Sequence, residues 1–142
     1  MRIQHIQLVS YRNLESQTVE LGAGLNLFIG DNGQGKTNLL EAVQVLSSLR
    51  SFRSATTRDL IRHGCERARV EGLVRCEDVP IELKLLLEPG GKRLWLGSNP
   101  VPNVQDYLGK LQVVAFTPDD LSMIKGGPAV RRRFIDRATF LF

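Results

Sequence analysis

Cysteine is scarce: Cys65 and Cys76 are the only two, with ten residues between them. That spacing makes no zinc knuckle and two thiols make no disulfide framework, so reduced thiols in a reducing compartment are expected. No apolar run approaches the roughly 20 residues that span a bilayer, so no membrane partner is expected. The opening Met1-Arg2-Ile3-Gln4-His5-Ile6 alternates polar with apolar and has neither an apolar block nor a small-residue cleavage site. It fits neither a secretory signal nor an Arg-rich transit peptide, and a cytoplasmic location is the expectation. Aromatic residues make up 6%, with Trp95 the single tryptophan, which suggests packing on strands more than a base-stacking surface. Internal repeats and low-complexity segments are absent as well.

What is present is ordinary for one globular domain: 142 residues, 42% hydrophobic and 24% charged. The net charge of +4 comes from arginine, which outnumbers lysine 14 to 5. Arginine is the better fork for phosphate and carboxylate, but a charge of this size selects no partner by itself.

Residues 2–9 and 16–21 read as strands, joined through a turn at Tyr11-Arg12-Asn13. Gly22-Ala23-Gly24 leads into an apolar third strand, Leu25-Asn26-Leu27-Phe28-Ile29. Leu39, Leu40, Val43, Leu46 and Leu49 then recur at helical spacing and predict an amphipathic helix over 36–50. The stretch 51–64 is polar and basic, a loop with a short helix at 57–62. Alternation predicts strands over 68–76 and 81–87, and Glu88-Pro89-Gly90-Gly91 turns the chain back along Arg93–Leu96 in an antiparallel meander. A helix over 103–109 and a buried strand Val113-Val114-Ala115-Phe116 follow. Thr117 then reads as an N-cap, with Pro118 at the first helical position and a carboxylate at the third. Gly126-Gly127-Pro128 breaks the chain before a further helix. The apolar triplet Phe140-Leu141-Phe142 falls inside a helical pattern without a cap, and a piece of a longer protein is expected.

Between the third strand and the long helix lies Gly30-Asp31-Asn32-Gly33-Gln34-Gly35-Lys36-Thr37, which matches the phosphate-loop pattern in full. Glycines let the backbone curl so that successive N–H groups converge on phosphate oxygens. The helix start adds its dipole and its unpaired N–H groups. In such a loop Lys36 meets the β- and γ-phosphates and the Thr37 hydroxyl is a ligand for Mg²⁺. A strand before and a helix after give the pattern its required context, and ATP with Mg²⁺ is the expected ligand. Hydrolysis needs a further carboxylate, usually at the end of an apolar strand. Glu88 follows such a run but sits at a hairpin end, and Asp119 and Asp120 suit a helix N-terminus better. No catalytic residue is therefore assigned.

With these parts placed, the chain resembles the N-terminal part of the RecF family, within the ATPase heads that include the structural-maintenance-of-chromosomes (SMC) proteins. The carriers are Ile6–Leu14, with its Tyr11-Arg12-Asn13, and the run from Leu25 through Ala42 that holds the loop. Three narrower pieces point to RecF: Ser51-Phe52-Arg53-Ser54, Leu60-Ile61-Arg62-His63-Gly64, and Gly126-Gly127-Pro128 followed by Arg131-Arg132-Arg133-Phe134-Ile135-Asp136. The resemblance implies an α/β fold: a P-loop core with a mixed sheet plus an antiparallel meander, lobe one of an ATPase head whose second lobe and later motifs are missing. It implies an ATP-dependent DNA-repair protein that binds duplex DNA near single-strand gaps and helps RecO and RecR to load RecA. It also implies a homodimer formed through ATP and a weak ATPase in the longer protein, inactive in this stretch. Arg12, by the same resemblance, reaches toward the nucleotide phosphates. Arg50, Arg53, Arg58, Arg62 and Arg131–Arg133 are candidate DNA contacts or plain solvated charge. Two rivals stay open: a small-molecule or nucleoside kinase using the same loop, and a non-catalytic module in which nucleotide only governs dimerisation.

Overall fold

Ile6 and Leu8 alternate with polar neighbours, and one face of the first strand is consequently buried while the other is not. The same period-two pattern recurs at Ala68, Val70 and Val74, at Leu83, Leu85 and Leu87, and at Leu94. The computed structural model describes residues 1–76, 79–117, 120, 127–129 and 132. These strands are β1 (Arg2–Tyr11), β2 (Leu14–Glu20), β3 (Ala68–Cys76), β4 (Val79–Glu88), β5 (Gly91–Leu96) and the two-residue β6 (Asn99–Pro100). They form one sheet in the order β2-β1-β3-β4-β5-β6, antiparallel at every pairing. Register puts Leu8, Val70, Leu85 and Leu94 in one row and Ile6, Gly72 and Leu83 in the next. Both rows face the same way, so the strands share a single apolar surface.

Helix α1 (Lys36–Ser48) covers that surface with Leu39, Ala42, Val45 and Leu46. It crosses so close to β3 that a Cβ on Gly72 would lie 2.6 Å from Leu46 Cδ2. Leu46 is itself fully buried and has nowhere to move, so glycine at 72 is what lets helix and sheet meet. The short α2 (Val104–Tyr107) and the following Leu111 close the far end of the core, where the Ser47 hydroxyl donates to the Leu111 carbonyl at 2.7 Å. A 3₁₀ turn at Arg58–Leu60 brings Ile61 beside Tyr11, and Arg12 N donates to the Leu60 carbonyl at 2.9 Å.

Two expected strands do not form. Residues 25–29 and 113–116 join no strand, with Leu25 95%, Leu27 76% and Ile29 85% exposed, and Val114 and Phe116 likewise turned to solvent. A strand needs neighbours to satisfy its backbone, and the described residues supply none on either side of these segments. The mixed part of the expected sheet is thus absent among the described residues, while its antiparallel part is complete. The Thr117 N–H and hydroxyl both donate to the Asp120 carboxylate, at 2.7 and 2.8 Å, while Pro118 and Asp119 of the expected helix start lie outside the described residues. Pro128, Ala129 and Arg132 are helical, while Arg131, Arg133 and Asp136 lie outside the described residues. No helix among the described residues is long and apolar enough to cross a membrane.

Candidate functional site: a glycine loop braced by a hairpin turn

The loop from Gly30 to Thr37 follows the segment 25–29 and enters α1 at Lys36. Gly33 and Gly35 have φ of 85° and 97°, the left-handed region that a side chain resists, and these two residues give the loop its curl. Gly35 is also the N-cap of α1, and a Cβ there would stand 2.6 Å from Leu14 Cδ2 and 3.1 Å from Asn13 Oδ1. The glycine therefore permits the loop to rest on the β1–β2 hairpin. Leu39 N donates to the Gly35 carbonyl at 2.9 Å, the first bond of the helix. The side chain of Lys36 folds back over the loop, and its Nζ donates to the carbonyls of Gly30 at 2.5 Å and Asp31 at 2.7 Å. Its ammonium thus lies inside the curl, where a polyphosphate would meet it. Asp31, Asn32 and Gln34 are exposed, as is Thr37 on the first turn of α1. Thr37 carries a hydroxyl there, an oxygen of the kind that magnesium accepts beside phosphate and water oxygens.

Arg12 occupies the two-residue turn between β1 and β2 with φ of 54°. A non-glycine residue in that region is strained by about 1 kcal/mol or more and persists only when its surroundings fix it. Here they do. Its Nε and Nη2 donate to the two carboxylate oxygens of Glu41 at 2.9 and 2.6 Å, and Nη2 also donates to Ser54 Oγ at 2.6 Å. The Glu41 side chain is fully buried and that of Arg12 is 17% exposed. The paired carboxylate raises the Arg12 guanidinium above its ordinary value, chiefly through these hydrogen bonds. Burial, with the Glu41 charge next, likewise pushes the Tyr11 phenol above the ordinary tyrosine value. Ser51 Oγ donates to Glu41 and in turn accepts from the N–H groups of Arg53 and Ser54 at 2.9 Å each, so Glu41 gathers the turn, the helix and the segment 51–54. The structure holds Arg12 against Glu41, beside the loop's supports.

Of the other arginines, Arg53 donates to Asn38, Arg58 donates to the Cys65 carbonyl, and Arg62 pairs with Glu15 at 3.0 Å. Glu88 bonds Arg93 at 2.7 Å across its own hairpin, the place the sequence suggested, away from any phosphate chemistry. Sequence reasoning gave no site role to Asn13, Asn38, Glu41, Ser51 or Ser54, although all five stand in pieces that carry the family resemblance. One signal was available: Glu41 stands four residues before Val45, on the buried face of α1, and a carboxylate there requires a cation.

The model of the RecF/RecN/SMC N terminal domain matches residues 2–122. The DNA replication and repair protein RecF of Geobacter sp. (strain M21) is 41% identical over 140 residues, which are 99% of this chain and 38% of that protein. RecF of Lactobacillus johnsonii is 39% identical over 136 residues, 96% of this chain and 36% of that protein. Among solved structures, the recombination mediator protein RecF with ATP, from the RecFOR pathway, superposes with a TM-score of 0.87 at 34% identity. It covers 99% of this chain and 39% of that one. The SMC head domain from Thermotoga maritima, at TM-score 0.59 and 21% identity over 75% of this chain and 40% of that one, shares the fold. The chain spans 38% of the length of the first of these relatives. It belongs to the RecF/RecN/SMC N-terminal domain family, and the likeness to RecF read from the sequence is borne out.

Proposed function

We propose that this chain is the ATP-binding portion of a RecF-like recombination mediator, and that ATP is taken by the loop Gly30–Thr37. The observation that carries the reading is the placement of Lys36: its ammonium is held inside a glycine curl at the mouth of α1, between two backbone carbonyls. Those carbonyls are weak partners for a full positive charge, and a triphosphate would replace them with anionic oxygens. The backbone N–H groups at the start of α1 add donors from the same side. Thr37 would supply a hydroxyl ligand to Mg²⁺, which when bound would neutralise triphosphate charge. RecF solved with ATP has the same fold over 99% of this chain, which supports the ligand assignment. Arg12 can add a charge beside the phosphates only through the part of its guanidinium that Glu41 and Ser54 leave unused, because releasing Glu41 would strand a buried carboxylate.

From the same family likeness we propose duplex DNA as the macromolecular partner, with RecO, RecR and RecA acting alongside and a homodimer closing around ATP in the longer protein. Hydrolysis is not assigned to these residues, since Glu88 and Asp120 are both committed to local bonds. Binding of labelled ATP and of labelled duplex DNA, measured for this chain and for its longer counterpart, tests the reading. The expected result is ATP bound by both without turnover by the chain, and ATP-dependent DNA binding by the longer protein. Transfer of phosphate to a small acceptor, or DNA binding indifferent to ATP, would overturn it.

A further inference from the structure

Three side chains form a line from the segment 51–54 to the phosphate loop. Arg53 Nη1 donates to Asn38 Oδ1 at 2.6 Å. Asn38 Nδ2 donates to Asn13 Oδ1 at 2.7 Å, and Asn13 Nδ2 donates to the Gly33 carbonyl at 2.7 Å. The two ends fix the direction of every link. A guanidinium only donates and a carbonyl only accepts, so both amides must point their oxygens toward Arg53 and their nitrogens toward Gly33. Each bond then polarises the next in the same sense, with a positive charge at its head. None of the three side chains carries the phosphate-loop chemistry itself.

The far end matters because Gly33 lies in the middle of the curl. A carbonyl turned toward a polyphosphate repels it, while the N–H groups attract it. Holding the Gly33 oxygen on Asn13 keeps that oxygen paired and leaves the following N–H groups for the ligand. We infer that Asn13, Asn38 and Arg53 are positioning residues that set the phosphate loop's affinity, so that the state of Arg53 is felt at Gly33 without touching the nucleotide. This inference rests on the reading of the loop as a triphosphate site. A second tie, Arg12–Glu41–Ser51, joins the same three elements from the buried side. The buried tie secures the fold, which leaves the outer one available to tune the loop. Arg53 belongs to a basic segment facing solvent, so an anionic partner that captured its guanidinium would slacken the loop.

Calorimetric titration of the protein with MgATP tests this, for the parent, Asn13→Ala, Asn13→Asp, Arg53→Met, Arg53→Lys and the Asn13→Ala/Arg53→Met pair, with a melting curve for each. Asn13→Asp keeps the acceptor for Asn38 but loses the donor to Gly33. Both Asn13 variants are expected to weaken ATP about tenfold, Arg53→Met severalfold, and Arg53→Lys hardly at all. The double variant should bind like Asn13→Ala, because a chain cut once is already cut. Affinities within twofold of the parent for Asn13→Ala, Asn13→Asp and Arg53→Met, effects that multiply in the double variant, or losses that track a fall in Tm would each overturn the inference. The nitrogen chemical shift of the Gln34 amide, which follows the Gly33 carbonyl, is read without nucleotide. It should move in Arg53→Met and return in Arg53→Lys; an unmoved shift contradicts the relay, whereas a parent that binds no ATP contradicts only the assignment of the loop.

Discussion

Arg12 carries two demands at once: a left-handed backbone and a buried carboxylate. Removing one partner of such a pair leaves the other charge uncompensated, which costs about 3–5 kcal/mol. Arg12→Ala should therefore lower the unfolding free energy by that much, measured in urea, while Arg12→Met combined with Glu41→Leu should recover most of it. A loss under about 1 kcal/mol for the single variant would show that Glu41 is solvated after all. Tyr107 poses a simpler case. It is 1% exposed, its hydroxyl has no hydrogen-bond partner among the described residues, and burial raises its phenol above the ordinary value. Tyr11 is raised in the same direction. An acid held protonated in the fold stabilises fully below its unfolded pKa, about 10 for tyrosine, and loses that contribution as pH rises further. Melting temperature should fall above about pH 10 and fall less steeply in Tyr107→Phe, which at pH 7 should melt at or slightly above the parent. An alkaline fall identical in both proteins would refute the assignment.

At the scale of elements, α1 ends without a positive charge of its own. No basic residue stands in its last turn, and Leu49, at φ 58°, closes it in the conformation usually left to glycine. Lys92 of β5 supplies the missing charge from across the sheet, its Nζ donating to the Leu49 carbonyl. Desolvation of that ammonium, with Arg50 nearby, lowers it from the ordinary lysine value. Lys92→Met should cost roughly 0.5–1.5 kcal/mol and Lys92→Arg much less, read from thermal unfolding; equal stabilities for all three would remove the cap.

Lys92 also shows where the sequence stops being legible. The meander that carries it was plain from alternation at Ile81 through Leu87 and from Pro89-Gly90-Gly91, and so was α1 from its apolar spacing. Periodicity reports which face of an element is buried, but never which distant side chain meets its end. For the same reason the loop Gly30–Thr37 could be read from its glycines, whereas Asn13 and Asn38 stood in the family motifs without the bonds that link them. The segments 25–29 and 113–116 failed in the opposite direction: their apolar residues announced burial, and only Phe28 and Val113 pack against the core.

For the whole molecule those two segments are the main liability. The exposed Leu25, Leu27, Ile29, Val114 and Phe116 lie on backbone that joins no strand, a combination that invites association through both side chains and open hydrogen bonds. The isolated chain should self-associate as its concentration rises, and Leu27→Lys with Phe116→Lys should reduce that association without lowering Tm, as sedimentation velocity and melting curves would show. A chain that stays monomeric at high concentration would mean these surfaces are covered by something the sheet does not reveal. The rest of the molecule converges on one place: β1, β2, α1 and the segment 51–54 all bear on the curl around Lys36. Titration of Lys36→Ala with MgATP, beside the parent, tests that convergence most directly. Loss of measurable ATP binding with an unchanged melting curve is the predicted result, and ATP bound by the variant as tightly as by the parent would contradict the account.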